Sequence, residues 1–102
     1  MKPIKVGDTW FEWDDRKSDR NLRLRGFDFN AAAEVFFVED ALHEWNSYRA
    51  DEERQHVIAD VPQLGVLLVV YTVSEYHGEE TIRIVSARAA TKTERNRLKR
   101  SR

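Results

Sequence analysis

The stretch Arg54-Gln55-His56-Val57-Ile58-Ala59-Asp60-Val61, Pro62-Gln63-Leu64-Gly65, Val66-Leu67-Leu68-Val69-Val70-Tyr71-Thr72-Val73 decides the fold. Its first eight residues alternate. Val57, Ala59 and Val61 fall on one side, and Arg54, His56, Ile58 and Asp60 on the other, which is the period of a strand. Pro62 to Gly65 is a short turn segment, so the run after it returns antiparallel. That run, Val66 to Val73, is apolar on both faces, as in a central strand covered on both sides. A helix or a partner must cover its second face.

Working outward, Glu75 to Glu80, with Gly78, reads as a loop and Thr81 to Arg88 as a further alternating strand. Ile82 and Ile84 are expected on one face with Ser86 and Arg88, and Arg83 on the reverse face with Val85. Thr91-Lys92-Thr93-Glu94 is a capping box, so a C-terminal helix starts there. Upstream, Tyr48 to Glu53 reads as a loop and Ala41 to Trp45 as a weak short strand. Thr9 to Trp13 is an aromatic-rich first strand. Asp14 or Asp15 caps a helix that runs to about Arg25, and Gly26 ends it. Asp28 caps a second helix, with Phe29, Ala32, Ala33, Phe36 and Phe37 at helical period. The expectation is an α+β fold: a small antiparallel sheet with two N-terminal helices on one face and a C-terminal helix. Residues 1–8 are read as an N-terminal extension and 9–102 as a single domain.

The 102 residues allow one domain. The absence of cysteine excludes disulfides, thiolate catalysis and cysteine-ligated metal. No apolar run approaches a membrane span, and no secretory signal is visible, so a cytoplasmic protein is expected. Residues 1–87 carry 10 basic and 17 acidic side chains, whereas residues 88–102 carry seven basic ones against Glu94 alone. That asymmetry points to a polyanion or an acidic partner at the C-terminal end, or to a solvated basic helix.

His43, His56 and His77 form no ligand-spaced set, and the four glycines are scattered. No metal and no cofactor is expected. Arginine remains. Lys17, Asn21 and Arg25 lie along one stripe of the first helix, Arg54 opens the middle strand, Arg83 and Arg88 lie on the last strand, and Arg95 follows on the C-terminal helix. Guanidinium forks match phosphate oxygens. A metal-free ribonuclease needs such groups and a proton shuttle, since its substrate supplies the 2′-hydroxyl nucleophile. Surface ion pairs with the acids are the plain alternative.

Phe11-Glu12-Trp13-Asp14, Lys17, Asn21-Leu22, Gly26, Phe29 and Ala33-Glu34-Val35-Phe36 resemble the opening of the BrnT toxin family. Glu53-Arg54, Leu67 to Thr72, and Ile82-Arg83-Ile84-Val85-Ser86-Ala87-Arg88 with Ala90-Thr91 and Glu94-Arg95 resemble its second half. The resemblance covers about residues 10–97. It implies a toxin of a type II toxin–antitoxin pair with a RelE-like fold, a metal-independent endoribonuclease that cleaves RNA and inhibits translation. It also implies a BrnA-type ribbon-helix-helix antitoxin as partner, with operator DNA met only through that antitoxin.

One departure bears on catalysis. The family's Lys-His-Gly is Leu24-Arg25-Gly26 here. Arginine stays protonated at neutral pH and cannot shuttle a proton, although it can bind phosphate. His56, on the same strand face as Arg54, is the substitute acid–base candidate. The expected catalytic set is therefore Arg88, Arg83, Arg54 and His56, with Arg88 foremost and with Lys17, Arg25 and Arg95 binding RNA. The alternative is a catalytically impaired module that binds an antitoxin and takes part in operon repression. Trp45 and Tyr48 are candidates for stacking on bases or for covering an apolar patch.

Overall fold

A computed structural model describes residues 3–49 and 52–102, and of residues 45–49 and 52–53 only the backbone. In chain order it contains β1 (Ile4–Val6), β2 (Thr9–Glu12), α1 (Asp15–Arg25), α2 (Phe29–Ala32) and a 3-10 segment (Ala33–Phe37). There follow β3 (Leu42–Arg49), β4 (Glu52–Val61), β5 (Gly65–Tyr76), β6 (Glu79–Ala89) and α3 (Lys92–Ser101). The six strands make one sheet in the order β1-β2-β6-β5-β4-β3. The doubly apolar run thus lies inside the sheet.

β3 to β6 form an antiparallel meander. The expected loop at 75–80 contracts to His77-Gly78, both at positive φ (51° and 80°), the requirement of a two-residue hairpin turn. The loop expected at 48–53 also shortens, since strands reach Arg49 and Glu52; residues 50 and 51, and the side chains of Trp45, Tyr48 and Glu53, lie outside the described residues. β2 corrects the expectation of an antiparallel sheet. It runs parallel to β6, pairing Trp10 with Thr81, Phe11 with Ile82 and Glu12 with Arg83. Tight turns fix the direction of sequential strands, but β2 meets β6 across most of the chain, so no turn sets its direction. Residues 4–6 form an edge strand on β2.

The helix signals hold. The Asp14 carboxylate accepts from the amides of Arg16 and Lys17, and Gly26 ends α1 in the left-handed region at φ 87°. The Asp28 carboxylate accepts from the Ala31 amide. The helix after Asp28, however, lasts one turn before tightening to 3-10. A period of three brings Phe29, Ala32 and Val35 inward, and leaves Phe37 46% exposed, contrary to the helical reading.

The core has two parts. Phe11, Phe29, Ala32, Val35, Val57, Val69 and Ile84 belong to a large cluster between the sheet and the segment 27–37. Ile58, Leu68, Ala90 and Leu98 form a smaller one, so α3 covers the second face of the doubly apolar strand. α1 docks differently from the expected packed helix. Its buried residues are Ser18 and Asn21. Ser18 Oγ accepts from the Phe29 amide at 3.0 Å, and Asn21 Nδ2 donates to the Phe27 carbonyl at 2.8 Å.

Candidate active site

Strand register builds the site. On β6, Ile84 pairs with Tyr71 and Ser86 with Val70, which leaves Val85 as an extra residue in a bulge. The bulge reverses the alternation. Ser86 and Arg88 therefore lie on the reverse face with Arg83, not with Ile82 and Ile84 as simple alternation predicts. On that face α3 sits over Ile58 and Leu68 near the β4–β5 turn. Beyond it, two rows of half-buried side chains cross the strands: His56–Val70–Ser86 and Arg54–Thr72–Arg83.

β2 pairs with β6 only along residues 81–83. Farther along, α1 contacts β6. Arg25 Nη1 donates to the Ala87 carbonyl at 2.9 Å and to Asn21 Oδ1 at 2.8 Å. Because Asn21 is itself fixed on the Phe27 carbonyl, Arg25 is held against the last strand. Between helix and sheet lies a groove of about 390 Å³, within the range of small-ligand sites. Lys17, Arg20, Arg25 and Arg54 line it with Asn21, Leu24, Phe29, Val85 and Ser86, and no carboxylate is among these residues. Among the described residues the lining is cationic and holds no carboxylate, which favours a phosphate ligand.

The structure thus brings together Lys17, Arg25 and Arg54 of the expected residues. Arg83 stands in the same row as Arg54, two strand spacings or about 10 Å away. It lies 3.8 Å from a Glu12 carboxylate oxygen. His56 stands the same two spacings from Ser86. Arg88 is engaged elsewhere. Its two terminal nitrogens donate to the two Glu94 oxygens at 2.7 and 2.9 Å, joining β6 to α3. The Arg88 hydrogen bond is the main reason that the Glu94 carboxyl is lowered to about 2, and the same bond raises Arg88. Arg95 lies on α3 and donates to the Ala90 carbonyl at 3.0 Å.

Arg20, Leu24 and Ser86 are not among the site residues expected from the sequence. Arg20 and Leu24 follow Lys17 at helical spacing, so the α1 stripe contained that signal. Placing Ser86 requires the bulge, which alternation does not show. His43 lies apart from the groove: its Nδ1 is 3.0 Å from the Tyr71 hydroxyl, and partial burial lowers its pKa. Among the described residues, no group of three or more histidines and carboxylates converges as for a metal ion.

Three comparisons bear on this geometry. The model of the family described as ribonuclease toxin, BrnT, of type II toxin–antitoxin system matches residues 13–94. The crystal structure of the Brucella abortus ribonuclease toxin, BrnT, is similar at a TM-score of 0.55 and 23% identity, over 80% of this chain and 96% of that one. At that identity the likeness is one of fold. No curated protein matches the chain.

Proposed function

The chain belongs to the BrnT family of ribonuclease toxins of type II toxin–antitoxin systems, and from that premise we propose that it is a metal-independent endoribonuclease acting in the cytoplasm, where it inhibits translation. The observation that carries the proposal is the groove on which Lys17, Arg20, Arg25 and Arg54 converge. RNA places a scissile phosphate against Arg54, and Lys17, Arg20 and Arg25 hold the flanking backbone. The 2′-hydroxyl attacks the adjacent phosphorus, its proton leaves to a base, and the 5′-oxygen departs protonated. The products are a 2′,3′-cyclic phosphate and a 5′-hydroxyl. Guanidinium groups stabilise the charge that develops on the phosphoryl oxygens.

His56 is the proton shuttle in this reading, and Arg83 neutralises the phosphate from the neighbouring position. Arg25 occupies the position of the histidine in the resembled motif, and its bonds to Asn21 and Ala87 suit it to positioning. Arg88 acts through α3, which it ties to the sheet, and Arg95 stands on that helix. A BrnA-type antitoxin with a ribbon-helix-helix part is the partner, and operator DNA is reached through it. A RelE-like ancestry fits an arginine-rich site of this kind.

The same fixed Arg25 favours one second reading, an antitoxin-binding module that has lost catalysis. Expression from a tight inducible promoter separates the two, with growth and total RNA integrity followed beside an Arg54→Ala control. Arrest with RNA cleavage in the wild type alone is the expected result. Normal growth and intact RNA from soluble, folded protein would favour the module.

A further inference from the structure

A second cationic groove lies along α3. Lys92, Arg95 and Lys99 lie at i, i+3 and i+7 on α3 and so share one face of that helix, and Arg102, its C-cap, follows at i+10. They line a cleft of about 320 Å³ against Val66, Leu98 and Asp60 at the β4–β5 end of the sheet. Arg102 pairs with Asp40 at 2.8 Å, and Arg95 holds the Ala90 carbonyl. Among the described residues, Lys92, Arg95 and Lys99 have no carboxylate within ion-pair distance.

We propose that this face of α3 docks an acidic helical segment of a protein partner. The proposal builds on the antitoxin partner given to the chain above, but it does not require RNA cleavage. A helix presents carboxylates at the same three- and four-residue spacing as the cations, and an apolar side chain between them covers the half-buried Val66. A nucleic acid suits the cleft less well. Among the described residues, no aromatic ring lines it for bases to stack on. Asp60 also stands in its wall, and a backbone with a phosphate at every nucleotide meets that carboxylate, whereas a peptide can place its charges elsewhere. α3 is fixed before any partner arrives. Arg97 is bidentate to Glu44 at 3.0 Å on both bonds, Arg88 grips Glu94, and Leu98 is buried. Such a surface loses little freedom on binding.

The test measures fluorescence anisotropy at about 0.15 M ionic strength. One probe is a labelled amphipathic helical peptide with glutamates at i, i+3 and i+7 beside leucines. The other is a short labelled single-stranded RNA. Wild-type protein should bind the peptide and reject its lysine-for-glutamate counterpart. Lys92→Glu combined with Lys99→Glu should weaken the peptide at least ~10-fold while RNA affinity stays within about twofold. Equal losses for peptide and RNA would overturn the proposal in favour of a phosphate track. Unchanged peptide affinity in the double variant, or no wild-type binding, would overturn it outright. Circular dichroism checks the fold, and Lys92→Gln with Lys99→Gln decides the matter if the glutamate pair unfolds the chain.

Discussion

Arg88 and Arg54 both follow from the sequence as phosphate-binding candidates, but their surroundings differ. Arg88 gives both terminal nitrogens to Glu94, and Arg54 lines the cationic groove. Arg54→Ala should weaken RNA binding about 10- to 100-fold, the worth of one charge-assisted bond, with circular dichroism unchanged. Glu94 gives a pH prediction. Its carboxyl is lowered to about 2 in the folded chain from an ordinary 4.5. A depressed carboxyl adds stability above the unfolded value, and that stability disappears as pH falls through the folded one. Acid should therefore destabilise the wild type between about pH 5 and 2, and urea midpoints across that range should fall less in Glu94→Gln. Sequence alone showed which arginines exist. Their partners depend on register and on helix placement, so only Lys17 and Arg25, about two turns apart on one stripe of α1, could be grouped beforehand.

Among elements, α3 is held by a cap, by ion pairs of Glu94 with Arg88 and of Arg97 with Glu44, and by one buried leucine. Thr91 Oγ1 accepts from the Glu94 amide while Glu94 accepts from the Thr91 amide, as the capping box predicted. Leu98 is 2% exposed in the smaller cluster. Leu98→Ala should cost about 2–3 kcal/mol of unfolding free energy, and Thr91→Ala about 1 kcal/mol, both read from urea midpoints. Amide exchange should accelerate first in α3. Caps and turns were readable because each depends on a few adjacent residues, such as Asp14, Gly26 and Asp28. Three features were not. The bulge at Val85 reversed the faces of Ser86 and Arg88. The 3-10 segment exchanged Phe37 for Val35 in the core. The parallel pairing of β2 with β6 depends on contacts remote in sequence. Each of these is settled by packing, not by local preference.

Across the whole molecule, cations gather in two grooves, one along α1 and one along α3, while residues 1–87 carry 17 acidic side chains against 10 basic ones. Acidic surroundings confine a polyanion to the cationic sites, which makes binding sensitive to salt. With Lys17, Arg20, Arg25 and Arg54 as the phosphate contacts, the logarithm of RNA affinity should fall with the logarithm of salt at a slope of about −3. Arg54→Ala should flatten that slope by about 0.7. The family match covers residues 13–94 and so includes every residue of the α1 groove. In the proposed function, this groove cleaves RNA through the substrate's own 2′-hydroxyl. The most direct test incubates purified protein, with chelator in excess, with one RNA oligonucleotide and with its 2′-deoxy counterpart, beside the Arg54→Ala variant. Cleavage of the RNA alone is expected, leaving 2′,3′-cyclic phosphate ends, at a rate at least ~10-fold lower in the variant. Cleavage of the 2′-deoxy strand, or an Arg54→Ala rate equal to that of the wild type, would contradict it.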